Sequence, residues 1–263
     1  MPAEIGLIGD ATLSSLVENA AVFSQSTKYG PTSDDFTVGN LGEKMVAFIP
    51  RHGFKNRISP EKVPYRSNIA ALKTMTVRRI LGTCTVNSLN ADYKPGEFVF
   101  FDQFVNMTSG RAETFFDEDG FAQVSTAEPY CPELRELAAK TADGMGMKYH
   151  KAGTVVVVNG PRMVSKAESS FFSSQGFHVI DMVQYPEVAL ARESGICYLG
   201  MGIVTGYDAC MEGKADITPM AAEGVSALQA KAKEFVLNIV PKIPETQSCS
   251  CSKSLEGTVQ TKS

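Results

Sequence analysis

This chain of 263 residues lacks three things, and each absence excludes a class of function. No stretch holds the roughly 18 consecutive apolar residues that a membrane-spanning helix needs, so no membrane partner is expected. The opening "MPAEIGLIGDATL" has no basic segment running into a long apolar one, unlike a secretory signal, and a cytoplasmic location is expected. Cations are not in excess either: 25 Lys and Arg stand against 29 Asp and Glu, a net charge of -4. Duplex binding rests on clustered Lys and Arg, so a small anionic or neutral ligand fits better than nucleic acid.

The six cysteines, Cys84, Cys131, Cys197, Cys210, Cys249 and Cys251, form no CxxC pair and have no His at ligand spacing, so no metal site is expected. The first four read as small buried apolar residues. The last two fall in "ETQSCSCSKSLEGTVQTKS", a Ser/Thr-rich stretch with little apolar content. Residues 244–263 are therefore expected to be a disordered tail, in which a close thiol pair could serve redox or acylation chemistry or simply be solvated.

What is present is a rhythm. Short apolar runs such as "EIGLIGD", "KMVAFIP", "RRILGTC", "EFVFFDQ", "GTVVVVNG", "HVIDM" and "GICYLGMGIVTG" read as strands. Several are continuously apolar, as when both faces of a sheet are covered. Between them "VPYRSNIAALKTM", "CPELRELAAKTADGMG", "VSKAESSFFSSQ", "YPEVALARESG" and the span from Thr218 to Val240 carry apolar residues at helical spacing. Pro132, Ser165 and Pro186 mark helix starts. The expectation is one α/β domain, residues 1–243, with a mixed central β-sheet flanked by helices.

In such sheets ligands collect outside the carboxyl ends of strands. The segments there are "GDAT", "PRHG", "TCTVNS", "NGPRMVSKAES", "DMVQYPE" and "TGYDA". In "AFIPRHGF" a buried run ends by releasing Arg51, His52 and Gly53 together. Arg offers a rigid fork of donors to an oxyanion, and His can exchange a proton near neutral pH. An anion site is the reading this supports.

Taken in order, "IGLIG", "PRHG", "KVPYRSNIAALK", "DYKPGEFVFFDQFVNMT", "AEPYCPELRE", "GTVVVVNGPR", "PEVALARESGICY" and the "YD" that ends at Asp208 resemble the methylthioadenosine phosphorylase branch of the purine nucleoside phosphorylase family. The resemblance runs from about Glu4 to Pro241. It implies a homotrimer of α/β subunits that cleaves the N-glycosidic bond of a purine nucleoside, with inorganic phosphate as co-substrate and no other cofactor. It places Arg51 and His52 at the phosphate, with Thr85 and Thr12 as further donors. Met182 would pack under the ribose, Met163 and Val164 would lie beside the base, and Asp208 would hydrogen-bond the purine. Gln123 would reach toward a neighbouring subunit's 5′-substituent.

The departures from the family pattern gather at the same loops. Ala11, Cys84 and Val183 stand where the family has hydroxyl residues, Asp10 brings a carboxylate into the first loop, and Gly206 replaces an Asp or Asn near the base. A neutral donor to a charged group contributes about 1.5–3 kcal/mol, so three losses would weaken phosphate binding severely. Two alternatives follow: a hydrolase in which Asp10 or His52 activates water, or a catalytically weakened homologue that binds a nucleoside or a protein. The identity of the base is not legible from these residues.

Overall fold

In the computed structural model, which describes residues 2–117, 120–213 and 215–261, the apolar runs join one eleven-stranded mixed sheet. Its centre is parallel. Ile5–Gly9 lies between Lys44–Pro50 and Arg79–Ser88, and Cys197–Tyr207 flanks Arg79–Ser88 on the other side. Every residue of Ile5–Gly9 is buried, which is why the strand reads as an unbroken apolar run rather than an alternating one. Phe36–Leu41 and Glu18–Phe23 add antiparallel strands at one edge. Phe98–Phe100 and then Tyr149–His150 continue the sheet beyond Cys197–Tyr207.

Arg79–Ser88 and Cys197–Tyr207 are 10 and 11 residues long. The far end of Arg79–Ser88 takes on an antiparallel neighbour, Val179–Asp181, with Ile180 opposite Asn87. From there a parallel branch continues through Thr154–Val158 to Gln103–Met107. The carboxyl end of Arg79–Ser88 thus lies opposite the amino end of Val179–Asp181, which runs back along it toward the cavity.

Among the described residues five helices cover the sheet: α1 (Tyr65–Thr74), α2 (Pro132–Gly144), α3 (Lys166–Ser174), α4 (Gln184–Glu193) and α5 (Ala222–Ile239). Ile69 and Leu72 of α1 pack with Val188 and Leu190 of α4 in one apolar cluster. Leu134 and Ala138 of α2 share another with Phe235, Val236 and Ile239 of α5. Pro132 opens α2, where its missing N–H costs nothing. Ser165 and Glu168 form a reciprocal capping box at the start of α3. No helix among the described residues is long and apolar enough to cross a membrane.

The tail departs from expectation over residues 244–261, which fold back on the domain, while 262 and 263 lie outside the described residues. Arg79 donates to the carbonyls of Glu245 (3.4 Å) and Thr246 (2.7 Å), and Gln247 Nε2 donates to the Arg78 carbonyl at 3.2 Å. Cys251 is 3% exposed, inside the cluster formed by α2 and α5. Val259–Thr261 pairs antiparallel with Gly120–Ala122. Composition suggested disorder because the tail has few apolar residues. Its anchors are instead a buried cysteine and backbone carbonyls, and neither registers in a hydropathy count.

Candidate active site

A cavity of about 740 Å³ opens at the carboxyl ends of the central strands. It gathers Asp10 and Thr12 after the first strand, Arg51 and His52 after Lys44–Pro50, and Thr83, Cys84, Thr85 and Asn87 from Arg79–Ser88. Asp181, Met182 and Val183 close it on the branch side, and Val225, Gln229 and Ala232 of α5 line it as well. The resemblance brings Thr12, Arg51, His52, Thr85, Met163 and Met182 to one site, and these line one cavity together with Asp10, the departure from the family pattern.

Arg51 is held more tightly than a free anion-binding side chain. It is 2% exposed, and its Nε and Nη2 each donate at 2.8 Å to the two oxygens of Glu187, itself fully buried. Nη1 donates to the Thr83 carbonyl at 2.6 Å. Burial alone would lower the guanidinium pKa, and the Glu187 carboxylate more than reverses this, raising it. The Tyr198 hydroxyl donates to Glu187 Oε1, the oxygen that also accepts from Nη2. That approach requires glycine at position 82, where a Cβ would lie 1.9 Å from the Tyr198 hydroxyl oxygen. The chain Gly82, Tyr198, Glu187, Arg51 therefore fixes a cation at the cavity wall. N–H groups on both terminal nitrogens remain over for a ligand.

His52 Nδ1 lies 2.7 Å from the Ile58 carbonyl. A carbonyl only accepts, so Nδ1 carries the proton and Nε2 is left as an acceptor in the neutral ring. Burial, then the Arg51 cation, push this imidazole below its ordinary pKa. Asp10 is explained locally: its Oδ1 accepts from the Thr12 backbone N–H at 2.9 Å, capping the 3₁₀ helix Ala11–Leu16.

A match to the phosphorylase superfamily model spans residues 5–240, nearly the whole sheet and every loop of the cavity. The chain belongs to the phosphorylase superfamily. It is 41% identical to an S-methyl-5′-thioadenosine phosphorylase of Thermofilum pendens, over 96% of this chain and 97% of that protein. Among solved structures, a methylthioadenosine phosphorylase from an antarctic soil metagenomic library superposes with a TM-score of 0.93. That pair is 32% identical, with 98% of this chain and 93% of the other covered. The Schistosoma mansoni methylthioadenosine phosphorylase in complex with tubercidin gives 0.90 at 28% identity, covering 98% and 99%.

Two residues assigned to the phosphorylase site by resemblance, Asp208 and Val164, lie off this cavity, and Gln123, which the resemblance assigns to a neighbour's site, lies outside the cavity of its own chain. Asp208 is 4% exposed and does not line the cavity; its Oδ1 accepts from the Ala209 backbone N–H, and its own N–H bonds the Ser88 carbonyl. Val164 lines a separate small cavity with Phe172 and Met107. Gln123 is exposed, its backbone N–H bonded to Thr258 of the tail, outside the cavity of its own chain.

Other residues take part without having been foreseen. Asn87 lines the cavity and is paired with Gly206 across the strands. Its Oδ1 lies 3.6 Å from where a Cβ at position 206 would be, so an amide borders the space where the family pattern has an acid or amide on the other strand. Asp181 is 5% exposed, with Oδ2 accepting from the Gln184 N–H at 3.0 Å and Oδ1 without a partner. Burial pushes it up to about 6, against the backbone N–H groups of Val183 and Gln184. Arg111 donates to the carbonyls of Met182 (2.8 Å) and Asn159 (3.0 Å), tying down the segment that carries Met182. Gly160, at φ +65°, makes room for that methionine, since a Cβ there would lie 2.4 Å from Sδ. Neither Arg111 nor Asp181 sits in a pattern that spacing alone could have flagged. The hydroxyl count also changes, because Thr12, Ser59, Thr83 and Thr85 all line the cavity despite Ala11, Cys84 and Val183.

Proposed function

We propose that this phosphorylase cleaves a purine nucleoside of the methylthioadenosine type with inorganic phosphate, giving free base and a pentose 1-phosphate. It is then a pentosyltransferase. The observation that carries the reading is the single cavity joining the Arg51–His52 loop to Met182, in a chain about 40% identical to named methylthioadenosine phosphorylases over nearly its full length.

In this reading phosphate lies against Arg51, with Thr12, Thr83 and Thr85 hydroxyls as neutral donors. Neutral His52 meets a protonated phosphate oxygen through Nε2. Phosphate oxygen attacks C1′ as the bond from C1′ to the base nitrogen breaks, so the sugar passes through a cationic, oxocarbenium-like state. The dianion beside it supplies the countercharge, and a fixed, low-dielectric setting magnifies that effect. Electrons of the broken bond leave with the base, and the proton that phosphate gives up on forming the ester passes by way of solvent to the base nitrogen. Met182 offers an apolar floor to the ribose, and Asn87 offers an amide to the departing purine. The resemblance also supports a cytoplasmic homotrimer in which Gln123 serves a neighbour's site.

The test is release of free base from methylthioadenosine, adenosine, inosine and guanosine in matched buffers with and without phosphate. Release that requires phosphate and yields pentose 1-phosphate is expected. Equal release without phosphate would make the protein a hydrolase.

A further inference from the structure

Four thiols from three separate stretches of the sequence meet at one point away from the cavity, none of them lining it. Cys131 immediately precedes α2, Cys197 opens the strand Cys197–Tyr207, and Cys249 and Cys251 arrive on the folded-back tail. Their four Sγ atoms all lie within 4.8 Å of one another. Cys249 Sγ is 3.6 Å from Cys131 Sγ and 3.3 Å from Cys197 Sγ. We propose that Cys131, Cys197, Cys249 and Cys251 form a structural zinc site that fastens the tail to the domain.

The geometry favours coordination over pairing. All four cysteines are free thiols, and the Cys249 separations are well beyond the roughly 2.05 Å of an S–S bond. Thiolates about 2.3 Å from a tetrahedral metal lie about 3.8 Å apart, which is the scale of this cluster. An all-sulfur donor set selects a soft or borderline ion, excluding calcium and magnesium, and four protein ligands leave no open position. That closure suits a structural role. Cys131, Cys197 and Cys251 are buried and Cys249 is partly so, giving metal an entry from the tail side. Gln247 Nε2 donates to Cys197 Sγ at 3.0 Å, the kind of outer hydrogen bond that orients a metal ligand. Binding is not a redox step: zinc replaces the four thiol protons, which pass to solvent. The sequence missed the site because its ligands come from three separate elements and only two of them are neighbours in the chain.

The experiment is elemental analysis of the full-length protein after zinc is supplied and loose metal is removed by gel filtration. About one zinc per chain is expected. Cobalt substituted for zinc should give the absorption of a tetrahedral, all-thiolate ion. Cys249→Ser should lose the metal while keeping base release, since Cys249 lies outside the cavity. Gln247→Ala keeps all four ligands and should weaken zinc binding about 10- to 100-fold, which a purely structural contact would not do. Protein that folds but holds no zinc overturns the proposal, whether its cysteines are then found as free thiols or as disulfides by mass spectrometry. Should Cys249→Ser fail to fold, the wild-type metal content and the Gln247→Ala affinity still decide.

Discussion

Asp181 shows how much a single buried carboxyl can report. Its folded pKa of about 6 lies above the ordinary 3.8, so the stability linked to it is fully present below the unfolded pKa and is lost as pH rises through about 6. The difference amounts to on the order of 3 kcal/mol. Asp181→Asn keeps an oxygen for the Gln184 N–H and removes the titration. Its melting temperature relative to wild type should therefore climb between pH 4 and about 6.5 and then level off. A constant offset across that range would show a carboxyl that titrates normally. Asn87 makes a different prediction, about chemistry. Asn87→Ala should lower kcat/KM for the nucleoside about 10- to 100-fold, leaving the KM for phosphate near wild type. Gly206→Asn in that background should recover part of the loss, since the atom that a Cβ at 206 would meet, Asn87 Oδ1 at 3.6 Å, is the one that Asn87→Ala removes. Arg51 and His52 were legible because a basic pair after a buried run is unusual. Asp181, Arg111 and Asn87 were not, because their importance lies in what they face across elements distant in sequence.

Among elements, legibility followed burial. Strands covered on both faces, such as Ile5–Gly9 and Thr154–Val158, announced themselves as apolar runs, and α3 was announced by its Ser165 cap. Glu18–Phe23 was missed because five of its six residues are exposed, leaving no period to read; its pairing with Phe36–Leu41 decides its state. The first loop carries a second reading of Asp10, which lines the cavity and also caps a helix. A carboxylate in a phosphate loop suggests a base for water, yet Asp10 caps the short helix Ala11–Leu16. Asn caps about as well as Asp, so Asp10→Asn should leave stability unchanged within about 0.5 kcal/mol. It should also leave phosphate-dependent turnover intact, as thermal melts and steady-state rates would report. Loss of a phosphate-independent activity in this variant would instead revive the hydrolytic role.

At the scale of the molecule, Phe121 and Met107 remain 48% and 45% exposed, and Gln123 lies beside the first of them. Assembly as a trimer would give sedimentation at three times the 28.4 kDa of one chain. A monomer at working concentration would remove Gln123 from the site. The whole-molecule feature that composition hid is the tail, and its attachment has a consequence for how the protein is made. Arg79 finds the Glu245 carbonyl 166 residues downstream, and Gly120–Ala122 finds its partner strand only at residues 259–261. Synthesis runs from the amino end, so these contacts cannot close until residues 245–261 have left the ribosome. Cys131 and Cys197 must then wait, uncovered, for Cys249 and Cys251 to be made. A premature stop codon near residue 244 would spare every loop of the cavity yet release a polypeptide whose last structural step can never occur.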